Sequence, residues 1–395
     1  MGSKLPAIGT DCPATVSRDT GLPLHGKPSS RLRYRTIADE LIRKKDNFQL
    51  LRFIAAANVI YHHAYTIAGG SGPANLFDWL GWWRPAPYLD VDLFFVMSGF
   101  LVTASFVRTK DVAVFLWARF LRILPGLFYC LVVTACVIGP IFTERNLDAY
   151  FRDPGVVGYV VRNIQMRTDW LKDLPGVFVD NPQKATVNGS IWTMPALARM
   201  YACVAILGFL GILSKKRRFN VVVGSLLILV LWFDWELPLL PGKEYARMAL
   251  MFAAGAFVFV NRSWLPMPRV LLLSTIAAAF LLRSTDACRY LFSAAEVMFV
   301  FWFAYGLKWY GFNRIADYSY GIYLWGYPSQ QMVAAIDGRL PCWANAAIGF
   351  VLALLLAIGS WHLVEKPALR MKGVIPALKR RMGFVPASNV ATESG

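Results

Sequence analysis

Leu50-Leu51-Arg52-Phe53-Ile54-Ala55-Ala56-Ala57-Asn58-Val59-Ile60-Tyr61-His62-His63-Ala64 sets an arginine and two histidines inside an otherwise apolar run. The run has the length and residue types of a helix, with no proline or glycine to break it. Apolar stretches of similar length recur along the chain, roughly 18–25 residues each, the length that covers a hydrocarbon core. They are expected at 49–68, 88–107, 120–142, 190–213, 219–237, 245–261, 269–283, 289–308, 316–336 and 343–364. The reading is an all-α integral membrane protein of about ten transmembrane helices.

Composition agrees. Of 395 residues, 56% are hydrophobic and only 16% charged, against about 25% charged in soluble chains. The net charge of +17 would point to nucleic acid in a soluble protein. Here the basic residues cluster in the tails and in alternate short loops, a pattern explained by membrane topology and anionic headgroups. Nucleic-acid binding is therefore not expected. With an even number of spans and the basic loops on one side, both termini are expected in the cytoplasm. The six cysteines (Cys12, Cys130, Cys136, Cys203, Cys288, Cys342) have no metal-ligand spacing, so no metal site is expected. Cys130, Cys136 and Cys203 read as small packing residues, and a disulfide between Cys288 and Cys342 is conceivable from their placement.

Three regions are expected. Residues 1–47 form a basic, mostly disordered tail, with a short surface helix within 32–45. Residues 48–368 form the membrane domain, with a long outer loop at about 143–189. Residues 369–395 form a second basic tail. Long ordered loops are more often functional than connective, so 143–189 either covers a polar substrate or caps the bundle.

Ionisable residues inside a span are functional candidates by default. Arg52 and His63 are eleven positions apart, three turns, so they share one helix face about 16 Å apart, whereas His62 is turned about 80° away. An imidazole titrates near neutral pH and can serve as a general base; the alternative is a hydrogen bond to a neighbouring helix. In Tyr88-Leu-Asp-Val-Asp-Leu-Phe-Phe-Val-Met-Ser-Gly-Phe-Leu-Val102, Ser98 and Gly99 allow close helix approach, and Asp92 is a candidate orienting partner for His63. In Trp117-Ala-Arg-Phe-Leu-Arg-Ile-Leu-Pro125, Arg119 and Arg122 could hold phosphates in forked geometry or simply anchor the helix at the cytoplasmic boundary. Arg199, Arg247 and Glu296 are expected either to line one interior cavity or, with equal weight, to form structural ion pairs between helices. Trp79, Trp82 and Trp83 read as an interfacial aromatic belt.

Taken together these blocks resemble acyltransferase family 3, whose members acylate bacterial surface polysaccharides and other glycosides. The resemblance rests on an Arg-x10-His (Arg52, His63), Asp-Leu-Phe-Phe-Val-Met-Ser-Gly-Phe-Leu (92–101) and Arg-Phe-Leu-Arg-Ile-Leu-Pro (119–125). It continues with Asn-Gly-Ser-Ile-Trp-Thr-Met-Pro (188–195), Tyr-Gly-Ile-Tyr-Leu-Trp (320–325) and Val-Glu-Lys-Pro (364–367). It implies an acyl-coenzyme A co-substrate, with acetyl as the first expectation, and no permanently bound cofactor. His63 would be the catalytic base, with Arg52, Arg119 and Arg122 at the donor. Ser98, Trp192, Arg199 and Arg247 would line the acceptor side or the cavity. The expected partners are acyl-coenzyme A, a carbohydrate acceptor and the bilayer, and the expected place is the inner membrane of a bacterium. Two departures stand out: residue 118 is Ala where the family often has the first arginine of an Arg-x3-Arg pair, and Leu197 stands where a Glu is usual. The alternatives are a saccharide transporter or exporter, and a catalytically weakened homologue.

Overall fold

A computed structural model of the chain describes residues 35–43, 45–70, 89–232, 242–267 and 269–383. The fold is all-helical: among the described residues there is no β-strand, only two isolated bridges. The helices that position the site are α1 (Ile37–Ile42), α2 (Phe48–Ile67), α3 (Leu89–Thr109), α4 (Val112–Val133), α5 (Leu147–Arg152), α6 (Pro154–Ile164) and α7 (Met194–Phe209). They are followed by α8 (Lys216–Trp232), α9 (Lys243–Asn261), α10 (Arg269–Leu281), α11 (Ala287–Gly306), α12 (Ser319–Ile336), α13 (Cys342–Ser360) and α14 (Val374–Arg381). Each apolar stretch picked out above has its described part largely on one of these helices; residues 88 and 233–237 lie outside the described residues. Among the described residues, five helical stretches are both long and apolar enough to cross a bilayer: 89–109, 112–142, 190–209, 287–306 and 342–381. Helices α2, α9 and α12 have 20, 19 and 18 residues but carry the polar residues that the site uses.

Glycine sets the closest helix pair. A Cβ on Gly99 of α3 would collide with the Phe252 carbonyl of α9, and one on Gly255 of α9 would collide with the Val96 carbonyl of α3. The two backbones are in direct contact, as small residues permit where apolar packing alone drives association. Gly326 of α12 meets Ile60 of α2 in the same way, and Gly321 meets Ala357 of α13.

Proline then explains how the long loop docks. Pro328 lies inside α12 and has no N–H to return to the Leu324 carbonyl. Such a carbonyl needs a partner within the protein, and Asn188 Nδ2 donates to it at 3.0 Å. Four further hydrogen bonds fix the loop. Tyr323 OH donates to the Ser190 carbonyl at 2.9 Å, and Gln331 Nε2 donates to the Gln183 and Thr186 carbonyls at 2.8 and 2.6 Å. Asn181 Nδ2 donates to Gln331 Oε1 at 2.8 Å. The loop is thus a fixed cap on α12, carrying its own helices α5 and α6. Tyr150 and Tyr159 of those helices are fully buried.

The chain before α2 differs from the expected surface helix. Only Ile37–Ile42 is helical within 32–45 among the described residues, and it docks on the protein: Ile37 N donates to Leu265 O and Ala38 N to Arg262 O, both at 3.1 Å. Cys342 is a free thiol, so no disulfide joins it to Cys288, which is buried against Ala279. Cys130 is buried as a packing residue, Cys203 is partly so, and Cys136 is exposed. Cys12, the tail before residue 35, Trp79, Trp82, Trp83 and the tail beyond residue 383 lie outside the described residues.

Candidate active site

Helices α2, α4 and α12 bring together charges that are far apart in sequence. Asp317, two residues before α12, receives Arg122 Nη2 at 2.7 Å and lies 3.1 Å from Arg52 Nη2. Its other oxygen accepts from Ser319 Oγ at 2.5 Å. Glu365 is buried and joins the same group electrostatically. It ends a π-helical turn, Trp361–Glu365, that continues α13, and Ser360 Oγ donates to it at 2.9 Å. A π turn widens the helix by one residue and re-aims the side chains that follow. Here it turns Glu365 against Gly126 of α4.

Three of these residues, Arg52, Arg122 and Ser319, line a cavity of about 110 Å³. Arg52, Arg122 and Ser319 form its charged end; Ser98, Phe94, Thr193, Leu197, Tyr201 and Tyr323 are among the rest of its lining. Arg119 does not line it. Its guanidinium lies between the rings of Phe115 and Tyr201, each centroid 5.8 Å away.

His63 sits three turns along α2 from Arg52. Its ring stands edge-on to Tyr327, with centroids 5.1 Å apart and planes at 72°. Tyr327 is one turn beyond Tyr323, so His63 lies just past the far end of the cavity and is not part of its lining. His63 Nδ1 is buried and has no hydrogen-bond partner among the described residues. A base with an unoccupied nitrogen has its lone pair or proton available for transfer.

The carboxylates fall differently from expectation. Asp92 does not orient His63 through Nδ1; it receives Arg247 Nη1 at 2.8 Å. The carboxylate on a first-helix histidine is Asp90, whose Oδ2 lies 3.1 Å from His62 Nδ1. Asn58 Nδ2 donates to both Asp90 oxygens at 2.9 Å. Asn58 and His62 are four apart on α2, one turn, which is why both reach the same group. Spacing had turned His62 away from the Arg52 face, and the structure gives that other face this polar clamp to α3.

Trp192, Arg199 and Arg247 form a second group, around Tyr245, rather than lining the cavity. Tyr245 OH donates to the Trp192 carbonyl at 3.0 Å, and Arg199 lies within electrostatic reach of Tyr245. Arg247 links this group to Asp92 and Glu244. Glu296 is buried on α11, and Arg199, Arg247 and Glu296 are not among the residues lining the cavity described above. Of the residues expected at the acceptor or cavity, Ser98 alone lines the cavity.

The arginine-lined cavity lies inside a bundle of largely apolar helices, the architecture of a membrane protein. Family comparison then specifies the class: the model of acyltransferase family 3, described as an acyltransferase domain, matches residues 45–362, so the chain belongs to that family. An O-acetyl transferase of Shigella phage Sf6 is 26% identical over 343 residues, covering 82% of this chain and 96% of the relative. Nodulation protein 10 of Rhizobium leguminosarum bv. viciae is 26% identical over 361 residues, covering 83% and 94%. No solved structure matches.

Proposed function

We propose that this acyltransferase is a multi-pass protein of a bacterial inner membrane with ten spans and cytoplasmic termini. In this reading it moves an acyl group, acetyl in the simplest case, from acyl-coenzyme A to a carbohydrate hydroxyl. The observation that carries it is the cavity with Arg52 and Arg122 at one end and, one helical turn past its other end, the His63 ring on Tyr327. The name of the phage relative supports O-acetyl transfer. Sidedness is supported by contacts among the basic segments. The N-terminal segment meets residues 262–267, the start of α2 meets 304–315, and the C-terminal segment meets α4 at Trp117 and Asp111.

The donor enters from the basic side, its phosphates drawn to Arg52, Arg119 and Arg122 and its thioester extended along the cavity past Ser98. His63 takes the proton of the acceptor hydroxyl as the oxygen bonds to the thioester carbonyl carbon. The tetrahedral adduct collapses with loss of the carbon–sulfur bond, and the thiolate leaves with the proton returned from the imidazolium. Asp92, held by Arg247, braces the acceptor side with Trp192 and Arg199.

The test is thioester consumption by purified protein with acetyl-coenzyme A and a glycoside. Folded His63→Ala protein that transfers acetyl at the normal rate would sink the assignment of the base. Uptake of saccharide without thioester loss would favour a transporter.

A weakened enzyme is the second reading, favoured by Leu197, which lines the same cavity at the position where the family resemblance implies a Glu. Asp317 already supplies a carboxylate to Arg52 and Arg122. Leu197→Glu is therefore expected to leave turnover within about twofold, by the small return on a redundant charge. A large gain would establish the weakened state.

A further inference from the structure

Helices α8 and α9 are tied together by a pair of amides. Asn220 Nδ2 donates to Asn261 Oδ1 at 3.1 Å, and Asn261 Nδ2 donates back to Asn220 Oδ1 at 2.8 Å. Trp264 Nε1 joins the same Asn261 oxygen at 3.1 Å while its ring stays exposed. Beyond this tie the two helices leave an apolar groove of about 310 Å³ between them. Val223, Gly224 and Leu227 are among its lining from α8, and Ala253, Ala254 and Phe257 from α9.

Small residues usually let helices close up, as Gly99 and Gly255 do for α3 and α9. Here they do not. A Cβ on Gly224 would meet no atom within 4 Å among the described residues. An apolar cleft left unfilled forfeits the dispersion contacts of both its walls, so in a bilayer hydrocarbon enters it.

The polar end of the groove is cationic. Lys216 and Arg217 stand four and three residues before Asn220, which puts them over the same helix face. Lys216 Nζ donates to Ser263 Oγ at 2.5 Å, so its ammonium bridges from α8 to the segment that follows α9. Lys215, Lys216, Arg217 and Arg218 are all exposed, and none pairs with a carboxylate among the described residues. A phosphatidylcholine would satisfy the groove and leave the cations; a free phosphate would do the reverse. A molecule with hydrocarbon at one end and negative charge at the other satisfies both. Basic pockets between membrane helices, beside an interfacial tryptophan, hold headgroups in this way.

We propose that the groove between α8 and α9 binds one anionic phospholipid, with an acyl chain against Gly224 and Ala253 and the headgroup phosphate at Lys216 and Arg217.

The test titrates the full chain, delipidated in detergent, with phosphatidylglycerol or phosphatidylcholine and follows binding by native mass spectrometry. Wild-type protein is expected to hold one phosphatidylglycerol about 30-fold more tightly than phosphatidylcholine, the combined weight of two basic residues beside a headgroup. The double variant Lys216→Gln, Arg217→Gln should lose that preference and leave phosphatidylcholine unchanged. Gly224→Leu occupies the groove and should weaken both lipids at least tenfold; leucine favours the helix over glycine, and an equal or higher thermal transition excludes misfolding. Equal affinity for the two lipids in wild type, or an undiminished preference in the double variant, overturns the headgroup site. Unchanged lipid affinity in folded Gly224→Leu overturns the groove. A dimer that Gly224→Leu abolishes, with lipid binding untouched, also overturns the proposal and assigns the groove to a second copy of the chain.

Discussion

Arg122 and Asp317, 195 positions apart in sequence, meet with Nη2 2.7 Å from Oδ2, and the same oxygen lies 3.1 Å from Arg52. One carboxylate between two guanidiniums in a largely dehydrated place is a structural tie, and under the proposed function it is also a gate for the anionic donor. Removing it leaves two cations facing each other. Asp317→Asn should destabilise the protein by roughly 2–4 kcal/mol, the range for breaking a mostly buried pair. Coenzyme A should recover more of that loss than it adds to wild type, because its phosphates can stand in for the carboxylate. Thermal unfolding with and without coenzyme A reads both effects; equal ligand shifts in the two proteins would contradict the gate.

His63 and Tyr327 make a second prediction. His63→Asn should lower turnover by about 10²- to 10⁴-fold, the usual contribution of a general base, with coenzyme A affinity unchanged. Tyr327 has only ring packing to offer His63, so Tyr327→Phe should keep at least half the rate. Tyr327→Ala frees the imidazole to rotate and should lower kcat more than it changes KM. A Tyr327→Phe enzyme as slow as Tyr327→Ala would assign the hydroxyl a role that packing does not provide.

The Asn188–Pro328 relation can be isolated by a double-mutant cycle. Asn188 Nδ2 serves a carbonyl that Pro328 deprives of its helical partner. Asn188→Ala should therefore cost roughly 1–3 kcal/mol, because the buried carbonyl is left with only the long, weak contact from Cys130 Sγ at 3.6 Å. In a Pro328→Ala background residue 328 regains an N–H, and the same substitution should cost at least about 1 kcal/mol less. Strict additivity would mean that Asn188 acts elsewhere.

Asp111 gives a pH dependence outside the bilayer. Some burial raises its pKa, but the Lys379 ammonium and the Val114 amide outweigh that and hold the carboxyl below its usual value. A depressed folded value means that the contribution is complete above the unfolded pKa and is lost as pH falls through the folded one. Protease sensitivity of the 371–383 segment should rise between about pH 5 and pH 2, bracketing the ordinary Asp value of about 3.9. Asp111→Asn should show the acid phenotype at pH 7. Equal sensitivity across that range would detach the C-terminal segment from Asp111.

Much of the fold was legible in the chain because its signals are local. Apolar runs of span length mark the helices, and Gly99 marks a close approach. Arg52, Arg122, Ser98 and Leu197 were named from spacing and motif, and they line one cavity. The partners were not legible. Asp317 lies in no motif and Glu365 appears only within Val-Glu-Lys-Pro, and nothing local tells which of several arginines a carboxylate will meet. Asp92 was the natural choice for a histidine, yet Asp90 took that place, on His62 rather than His63. Two positions on a helix differ by about 200° in facing, so a choice between such neighbours depends on how α2 and α3 are rotated against each other.

By itself, then, the sequence determined a helical membrane protein of the acyltransferase 3 type and the first-helix stripe of Arg52 and His63. Hydrophobic length and helical period are properties of single segments and survive without knowledge of their neighbours. Only the tertiary structure decided that Asp317 joins Arg52 to Arg122, that Tyr327 backs His63, and that the C-terminal segment returns to α4. Those pairings depend on helix rotation and depth, which packing of the whole bundle fixes and no single segment encodes.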